Sequence, residues 1–323
     1  MTKAIRIHAT GGPEVMKWEQ VPTPQPGPAE VLIRHAAVGL NYIDVYFRTG
    51  LYKAALPATL GMEGAGVVLA VGDEVTTLAV GDRVAYAGGP IGAYATERVI
   101  AADRLVKLPE AISFETGAAM MLQGMTAQYL LRRTYRVQAG QTILVHAAAG
   151  GVGLIICQWA SSLGVNVIGV VSTPEKAALA QASGAKHAIV GYGNLAAEVK
   201  RLTAGAMVPV VYDSVGKDTF NASLDCLAPL GMMVSYGNAS GPVPPVDIGV
   251  LGAKGSLFLT RPSFSTYTAG HADLEATCNE LFEVVASGAV KIQVNQTFAL
   301  ADAAAAHEAL EARRTTGSTI LIP

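Results

Sequence analysis

Between Gln141 and Val171 the chain reads strand, turn, helix, strand, and no other stretch constrains the fold as tightly. Gln141-Thr-Ile-Leu-Val-His146 is a β-branched, apolar run of the kind that forms a parallel strand buried on both faces. Ala147-Ala-Ala-Gly-Gly-Val-Gly153 follows, then an apolar segment from Leu154 to Leu163 that ends at Gly164, then a second strand-like run, Val165–Val171. Such an order within about thirty residues is one βαβ unit. Ala148, Gly150 and Gly153 stand at the spacing of the dinucleotide fingerprint, with alanine in the first glycine position. Small residues are needed there because backbone must approach a pyrophosphate, the amides of Gly151, Val152 and Gly153 must open toward it, and helix must touch strand. In a chain with 35 glycines the spacing alone would be weak. The flanking strand, helix and strand make it specific.

The end of the second strand predicts which nicotinamide cofactor is held. An NAD site places an acid about twenty residues beyond the glycines to bind the ribose hydroxyls. Here Ser172 and Thr173 occupy that place, followed by Pro174-Glu175-Lys176. Thr173 as N-cap and Pro174 as first helical residue predict a helix start. Hydroxyls, helix amides and the Lys176 ammonium suit a phosphate on the adenosine ribose, provided Glu175 faces solvent. NADPH is the cofactor expected.

Beyond Lys176 the alternation continues. Helices are expected at 175–183, 195–202 and 219–227, and strands at 188–190, 208–212, 232–236 and 256–260. With the first two strands these make a six-stranded doubly wound sheet, whose ligand lies outside the carboxyl ends of the strands. Ser172, Ser214, Gly237, Asn238 and Thr260 are cofactor candidates on topology alone. Residues 1 to about 120 read differently. Val31–Arg34, Gly66–Val71 and Arg83–Tyr86 are strand-like, with turn signals at 22–28, 72–73 and 81–82, the pattern of a mostly antiparallel β-domain. Ser113 is placed to cap a helix running to Arg133 that leads into the nucleotide domain. A closing helix, 302–313, and strand, 318–322, are expected to return to the first domain.

Composition excludes several classes. Apolar residues are 51% and charged residues 15% of the 323, which suits a compact fold. A net charge of −2 offers no basic field for nucleic acid. Cys157, Cys226 and Cys278 form no CxxC pair and read as buried thiols of a reducing compartment. No apolar run reaches membrane-spanning length. A soluble cytoplasmic protein is expected.

Gly140-Gln-x-x-Leu144, Ala148-Ala-Gly-Gly-Val-Gly153 and Gln158 together resemble the signature of the quinone oxidoreductase and zeta-crystallin branch of the medium-chain dehydrogenase/reductases. The likeness extends over Gly11–Glu14, Gly39–Asp44, Gly61–Gly66, Val211–Gly216 and Gly317-Ser318. It implies a GroES-like β-domain (residues 1–124, completed by 262–323) on a Rossmann NADPH-binding domain (125–261), with the active site in the cleft between them and a homodimer. Zinc-dependent cousins hold their metal with Cys, His and Cys; the corresponding positions here are Asn41, Met62 and Gln123, which suit zinc poorly. Without a Lewis acid the substrate should be an electron-poor π-system such as a quinone or activated alkene.

The resemblance also suggests roles. Asn41, Tyr46 and Tyr52 lie where the cousins place metal and substrate groups, and suit hydrogen bonding to a quinone oxygen as charge develops; packing is the alternative for the tyrosines. Thr126 is expected at the nicotinamide end, and Tyr192 with Lys176 near the adenosine phosphate. Asn238, Ala239, Ser240, Phe258, Thr260 and Ser318 complete the expected cofactor contacts. Arg261 is a phosphate, domain-bridging or salt-bridge group. Asp44 and Glu63 are acid/base candidates, with loop fixation preferred. The six histidines show no metal spacing. The reading is a metal-free NADPH:quinone reductase. An NADPH-dependent reductase of α,β-unsaturated carbonyls or a non-catalytic crystallin-like NADPH-binding protein are the alternatives.

Overall fold

In the computed structural model, which describes Met1–Pro323, the chain divides into two compact units. The first comprises Met1–Met125, Thr268–Ala286 and Ile292–Pro323; the second comprises Thr126–Tyr267 and Ser287–Lys291.

The first unit opens with β1 (Thr2–Ile7), β2 (Met16–Val21) and β3 (Glu30–Leu40), then a helix, α1 (Tyr42–Thr49). The strands β4 (Ala58–Thr59), β5 (Glu63–Val71), β6 (Arg83–Ala87), β7 (Glu97–Ala101) and β8 (Val106–Lys107) follow. β3, β5, β6 and β8 form an antiparallel run, with β7 also on β3, while β2-β1-β4 make a small separate sheet. Ile33, Val38, Leu60, Tyr86 and Tyr94 belong to the core beneath. The expected antiparallel β-domain is present. α1 had no sequence expectation. It is one short amphipathic stretch closed by Gly50 at φ +83, a left-handed position that suits glycine.

Ser113 Oγ accepts the Thr116 amide at 3.1 Å, and α2 (Phe114–Tyr129) starts where expected. The helical path reaches Arg133 as expected, but its last turn changes form. Leu130–Thr134 widen into a π-type turn, where Leu130 O accepts both the Tyr135 amide (3.2 Å) and the Tyr212 hydroxyl (3.0 Å). The second unit then runs β9 (Thr142–His146), α3 (Gly151–Ser162), β10 (Asn166–Val171), α4 (Pro174–Ala182), β11 (His187–Val190) and α5 (Leu195–Leu202). Next come β12 (Val208–Asp213), α6 (Phe220–Asp225), β13 (Leu227–Ser235), α7 (Gly249–Ala253), β14 (Phe258–Thr260) and α8 (Phe264–Tyr267). All six strands are parallel, in the order β11-β10-β9-β12-β13-β14. The order reverses direction between β9 and β12, so the ligand crevice of such a sheet lies at their carboxyl ends. α6 is shorter than the expected 219–227 because Leu227 is taken into β13, where it pairs with Val208.

The tail returns to the first unit: α9 (His271–Ala286), β15 (Val294–Ala299), α10 (Ala303–Glu311) and β16 (Ser318–Ile322). β16 pairs antiparallel with β3, Leu321 opposite Val38, and β15 pairs parallel with β16. α10 is shorter than the expected 302–313, since Leu300–Asp302 form a 3-10 turn and Arg313 takes φ +57. α9 had no sequence expectation. Its Leu281 occupies the space where a Cβ on Gly124 of α2 would stand.

Candidate active site

In the second unit, the turn after β9 is tight. Ala147 sits at φ +50 and its carbonyl accepts the Gly150 amide at 2.9 Å. Gly150 is the N-cap of α3, so the amides of Gly151, Val152 and Gly153 are those a helix leaves without internal partners. A Cβ on Gly153 would lie 2.3 Å from Ala147 O and 2.7 Å from Ala148 Cα, so helix and turn meet only because it is glycine. Alanine replaces glycine at 148 for a reason the linear motif hides. A Cβ on Gly169 of β10 would stand 2.7 Å from the Ala148 methyl. The neighbouring strand supplies the space, and Ala148 is fully buried in it.

At the end of β10, Thr173 Oγ1 accepts the Lys176 amide at 3.3 Å and caps α4. Its hydroxyl also holds the Glu175 carboxyl below its usual range, and Glu175 is solvent-exposed. The Thr173 hydroxyl is thus engaged in capping, while Ser172 is exposed and Lys176 half-buried. Tyr192, just beyond β11, lies 5.9 Å ring to ring from buried His146.

β12 and β13 end close together. A Cβ on Gly237 would meet Ser214 O at 2.4 Å; the Ala239 amide bonds Ser214 O (3.1 Å), and Ser240 Oγ donates to Val215 O (2.9 Å). Arg261 grips the strand end: its Nη1 donates to Ser235 O (2.8 Å) and Gly237 O (3.2 Å), and with the Asn238 amide turned to suit, Nη2 reaches Asn238 Oδ1 at 3.1 Å. It holds the end of β13. Thr260 lies on β14, and Phe258 is 56% exposed.

Sequence reading missed the anchor of this end of the sheet. Asp213 Oδ1 accepts the amides of Val215 (2.8 Å) and Gly216 (3.1 Å), and Oδ2 accepts Thr219 Oγ1 (2.7 Å) and Ser223 Oγ (2.8 Å). Since Ser223 gives its proton to Asp213, it accepts from His146 Nε2 at 2.9 Å. Burial lowers the His146 pKa, consistent with a neutral ring. Ser, His and Asp together suggest a hydrolase, but the serine is fully buried and donates to the aspartate rather than to the histidine. The cluster is structural. Its one sequence signal was Asp213-Ser-Val-Gly216 at a strand end.

The first unit holds a second polar constellation. Asn41 and Asp44 form a capping box at the start of α1: the Asn41 side chain faces the Asp44 backbone amide, and Asp44 Oδ2 accepts the Asn41 backbone amide at 2.9 Å. The Asn41 amide group has further partners. Nδ2 donates to Glu63 Oε2 at 2.6 Å, and Oδ1 accepts Gln123 Nε2 at 3.1 Å. Gln123 Oε1 in turn lies 2.7 Å from Ser318 Oγ, which also reaches Ala119 O at 3.0 Å. Asn41, Gln123 and Ser318, expected in different roles, therefore stand in one buried row. Two amides already committed to a carboxylate, a hydroxyl and each other, with the thioether of Met62, do not fit zinc. No group of three His, Cys, Asp or Glu side chains stands together in metal-binding array.

Asp44 is held from behind. Arg48, 1% exposed, donates to Gly11 O, His307 Nδ1 and the Glu311 carboxylate. Because arginine only donates, the His307 proton sits on Nε2, facing Tyr94 Oη at 3.1 Å, and Tyr94 donates to Asp44 Oδ2 at 3.0 Å. Burial and Arg48 lower the His307 pKa to about 3, and burial raises Asp44 to about 7 against its hydrogen bonds. Asp44 fixes the loop. Tyr46 is buried and meets Tyr52 edge-on at 5.2 Å and Tyr42 at 5.7 Å, an aromatic cluster formed by α1 and the loop after it.

Comparison with known proteins agrees with this architecture. Residues 27–110 match the family described as alcohol dehydrogenase GroES-like domain, and residues 151–285 that described as zinc-binding dehydrogenase. A quinone oxidoreductase of Pseudomonas aeruginosa is 56% identical over 325 residues, covering 100% of both chains. The crystal structure of Escherichia coli quinone oxidoreductase complexed with NADPH superimposes with a TM-score of 0.98 at 47% identity, again over 100% of both chains. A 2-haloacrylate reductase of Burkholderia is 43% identical over 331 residues, covering 100% of this chain and 99% of its own. No helix is long and apolar enough to cross a membrane. The GroES-like and Rossmann units, and identity of this order over the full length, establish that the chain belongs to the quinone oxidoreductases of the medium-chain dehydrogenase/reductase family.

Proposed function

We propose that this chain reduces quinones with NADPH and without a metal. The observation that carries the reading is the pairing of an open α3 N-terminus, behind a glycine that only fits as glycine, with a β10 end that offers Ser172 and Lys176 and no acid. Ala148, Gly150, Gly151, Val152 and Gly153 hold the pyrophosphate. Ser172, Lys176 and Tyr192 hold the adenosine phosphate, with Thr173 keeping the α4 amides in place. Thr126, Ser214, Gly237, Asn238, Ala239, Ser240, Phe258 and Thr260 serve the remaining cofactor contacts. Bound NADPH supplies the hydride. Asn41, with Tyr46 and Tyr52, orients the acceptor and donates to its oxygen as negative charge grows. Ser318 acts through Gln123 in the Asn41 row rather than on the cofactor directly.

NADPH oxidation is expected with 1,4-benzoquinone and naphthoquinones; rates at the uncatalysed background would refute the reading. The likeness to the 2-haloacrylate reductase makes an activated-alkene arm of the same assay informative. Replacing Lys176 with alanine removes a charge-assisted bond worth roughly 1.5–3 kcal/mol, so NADPH affinity should fall about 10- to 100-fold with NADH nearly unchanged. Equal losses for both cofactors would refute the phosphate role.

The same reading includes a homodimer in the cytosol. β14 is an edge strand carrying exposed Phe258 and Leu259, with Ile248 79% exposed nearby in sequence, an edge that soluble proteins ordinarily cover. A monomer in sedimentation velocity would refute it. The three buried, free cysteines suit a reducing compartment.

A further inference from the structure

The Asn41 row has a direction, and its origin is one carboxyl group. Glu63 is fully buried and in no ion pair, yet both its oxygens accept N–H groups: Oε2 from Asn41, and Oε1 from the Leu122 amide at 2.8 Å. The Leu122 amide lies well inside α2, a place where amides are ordinarily spent within the helix, yet it serves this carboxyl. A Cβ on Gly39 would stand 2.5 Å from Glu63 Oε2, so β3 leaves room for it only as glycine. An ionised carboxylate accepts and cannot donate. While Glu63 is ionised, Asn41 turns Nδ2 to it and Oδ1 to Gln123, and Gln123 answers with Nε2 and turns Oε1 to Ser318, the arrangement observed. Each step follows from the one before.

We propose that Glu63 is the positioning residue of this site: its carboxylate holds the Asn41 and Gln123 amides in one orientation, so that each keeps an N–H, rather than an oxygen, where the acceptor's carbonyl is bound. The proposal rests on the reading that Asn41 meets the acceptor. A reversed row would set a carbonyl oxygen against an oxygen gaining negative charge and slow hydride arrival. Protonation of Glu63 permits that reversal, because a carboxylic acid can donate to Asn41 Oδ1. Burial raises the Glu63 pKa to about 8 against the hydrogen bonds that favour its ionised form. Asp44 on α1, Tyr86 on β6 and Tyr94 are the titratable groups coupled to it, and burial raises all three, keeping both tyrosines neutral in this range.

The test is Glu63→Gln in the full-length protein, with kcat, KM and NADPH affinity measured from pH 6 to 10. In the wild type kcat should fall as pH drops through about 8, where the carboxylate is lost. In Glu63→Gln, which retains Asp44, kcat should be roughly 10- to 100-fold lower and that limb absent, while NADPH affinity by fluorescence titration is unchanged. Wild-type kcat with the limb intact would overturn the proposal. Should the variant not fold, the wild type decides: the Asn41 and Gln123 side-chain amide NMR resonances should move together across the same pH range, and resonances that stay fixed would overturn it. Asn41→Ala separates the two readings. If it leaves quinone turnover unchanged, the role of Asn41 itself fails; if it slows turnover while Glu63→Gln does not, only the role of Glu63 fails.

Discussion

Gly153→Val should abolish measurable NADPH binding at concentrations that saturate the wild type. The nearest atoms to a Cβ there are Ala147 O at 2.3 Å, Ala148 Cα at 2.7 Å and Ala148 C at 2.8 Å, all backbone. No side chain can rotate aside, so α3 or the turn must move. Overpacking of this kind costs about 1–3 kcal/mol in stability. The larger effect falls on binding, because amides displaced by an ångström no longer converge on a pyrophosphate. Affinity should drop at least about 100-fold by that argument. Gly193→Ala, where a Cβ meets nothing within 4 Å, is the control and should bind normally. Wild-type NADPH affinity in Gly153→Val would show that the α3 N-terminus does not hold the cofactor.

The largest loss of stability is expected from Asp213→Ala. The substitution strands two buried amides and two buried hydroxyls at once, those of Val215, Gly216, Thr219 and Ser223. An orphaned buried donor costs about 1–3 kcal/mol, so even with partial rearrangement the sum should reach about 4 kcal/mol, a value few single substitutions attain. Asp213→Asn retains one acceptor oxygen and should cost about half as much. Urea unfolding reads this as a lower midpoint at unchanged slope. A loss below about 1 kcal/mol would mean that water or neighbouring groups replace the carboxylate readily.

Sequence periodicity located the parallel strands to within a few residues, because a strand buried on both faces must be apolar throughout and a crossover helix must follow it. The α4 start was equally legible, since Thr173, Pro174 and the Lys176 amide act within one turn. α1 and α9 were not legible. α1 is eight residues long, and the space that Leu281 of α9 fills exists only because Gly124 stands opposite it in α2. The site was legible in parts. Asn41, Gln123 and Ser318 each drew notice, but as a substrate group, a replaced zinc ligand and a cofactor contact.

What the sequence determined by itself was local: the order of strands and helices, the small-residue turn, and the missing acid after β10 that favours NADPH. Those signals lie within a few residues of each other, where spacing alone dictates geometry. Tertiary structure decided which polar groups share a proton network. Glu63 meets Asn41 across 22 residues, Gln123 meets Asn41 across 82, and Ser318 meets Gln123 across 195. A hydrogen bond is set by distance and direction in space, and at those separations only the packing of β3, β5, α2 and β16 supplies either.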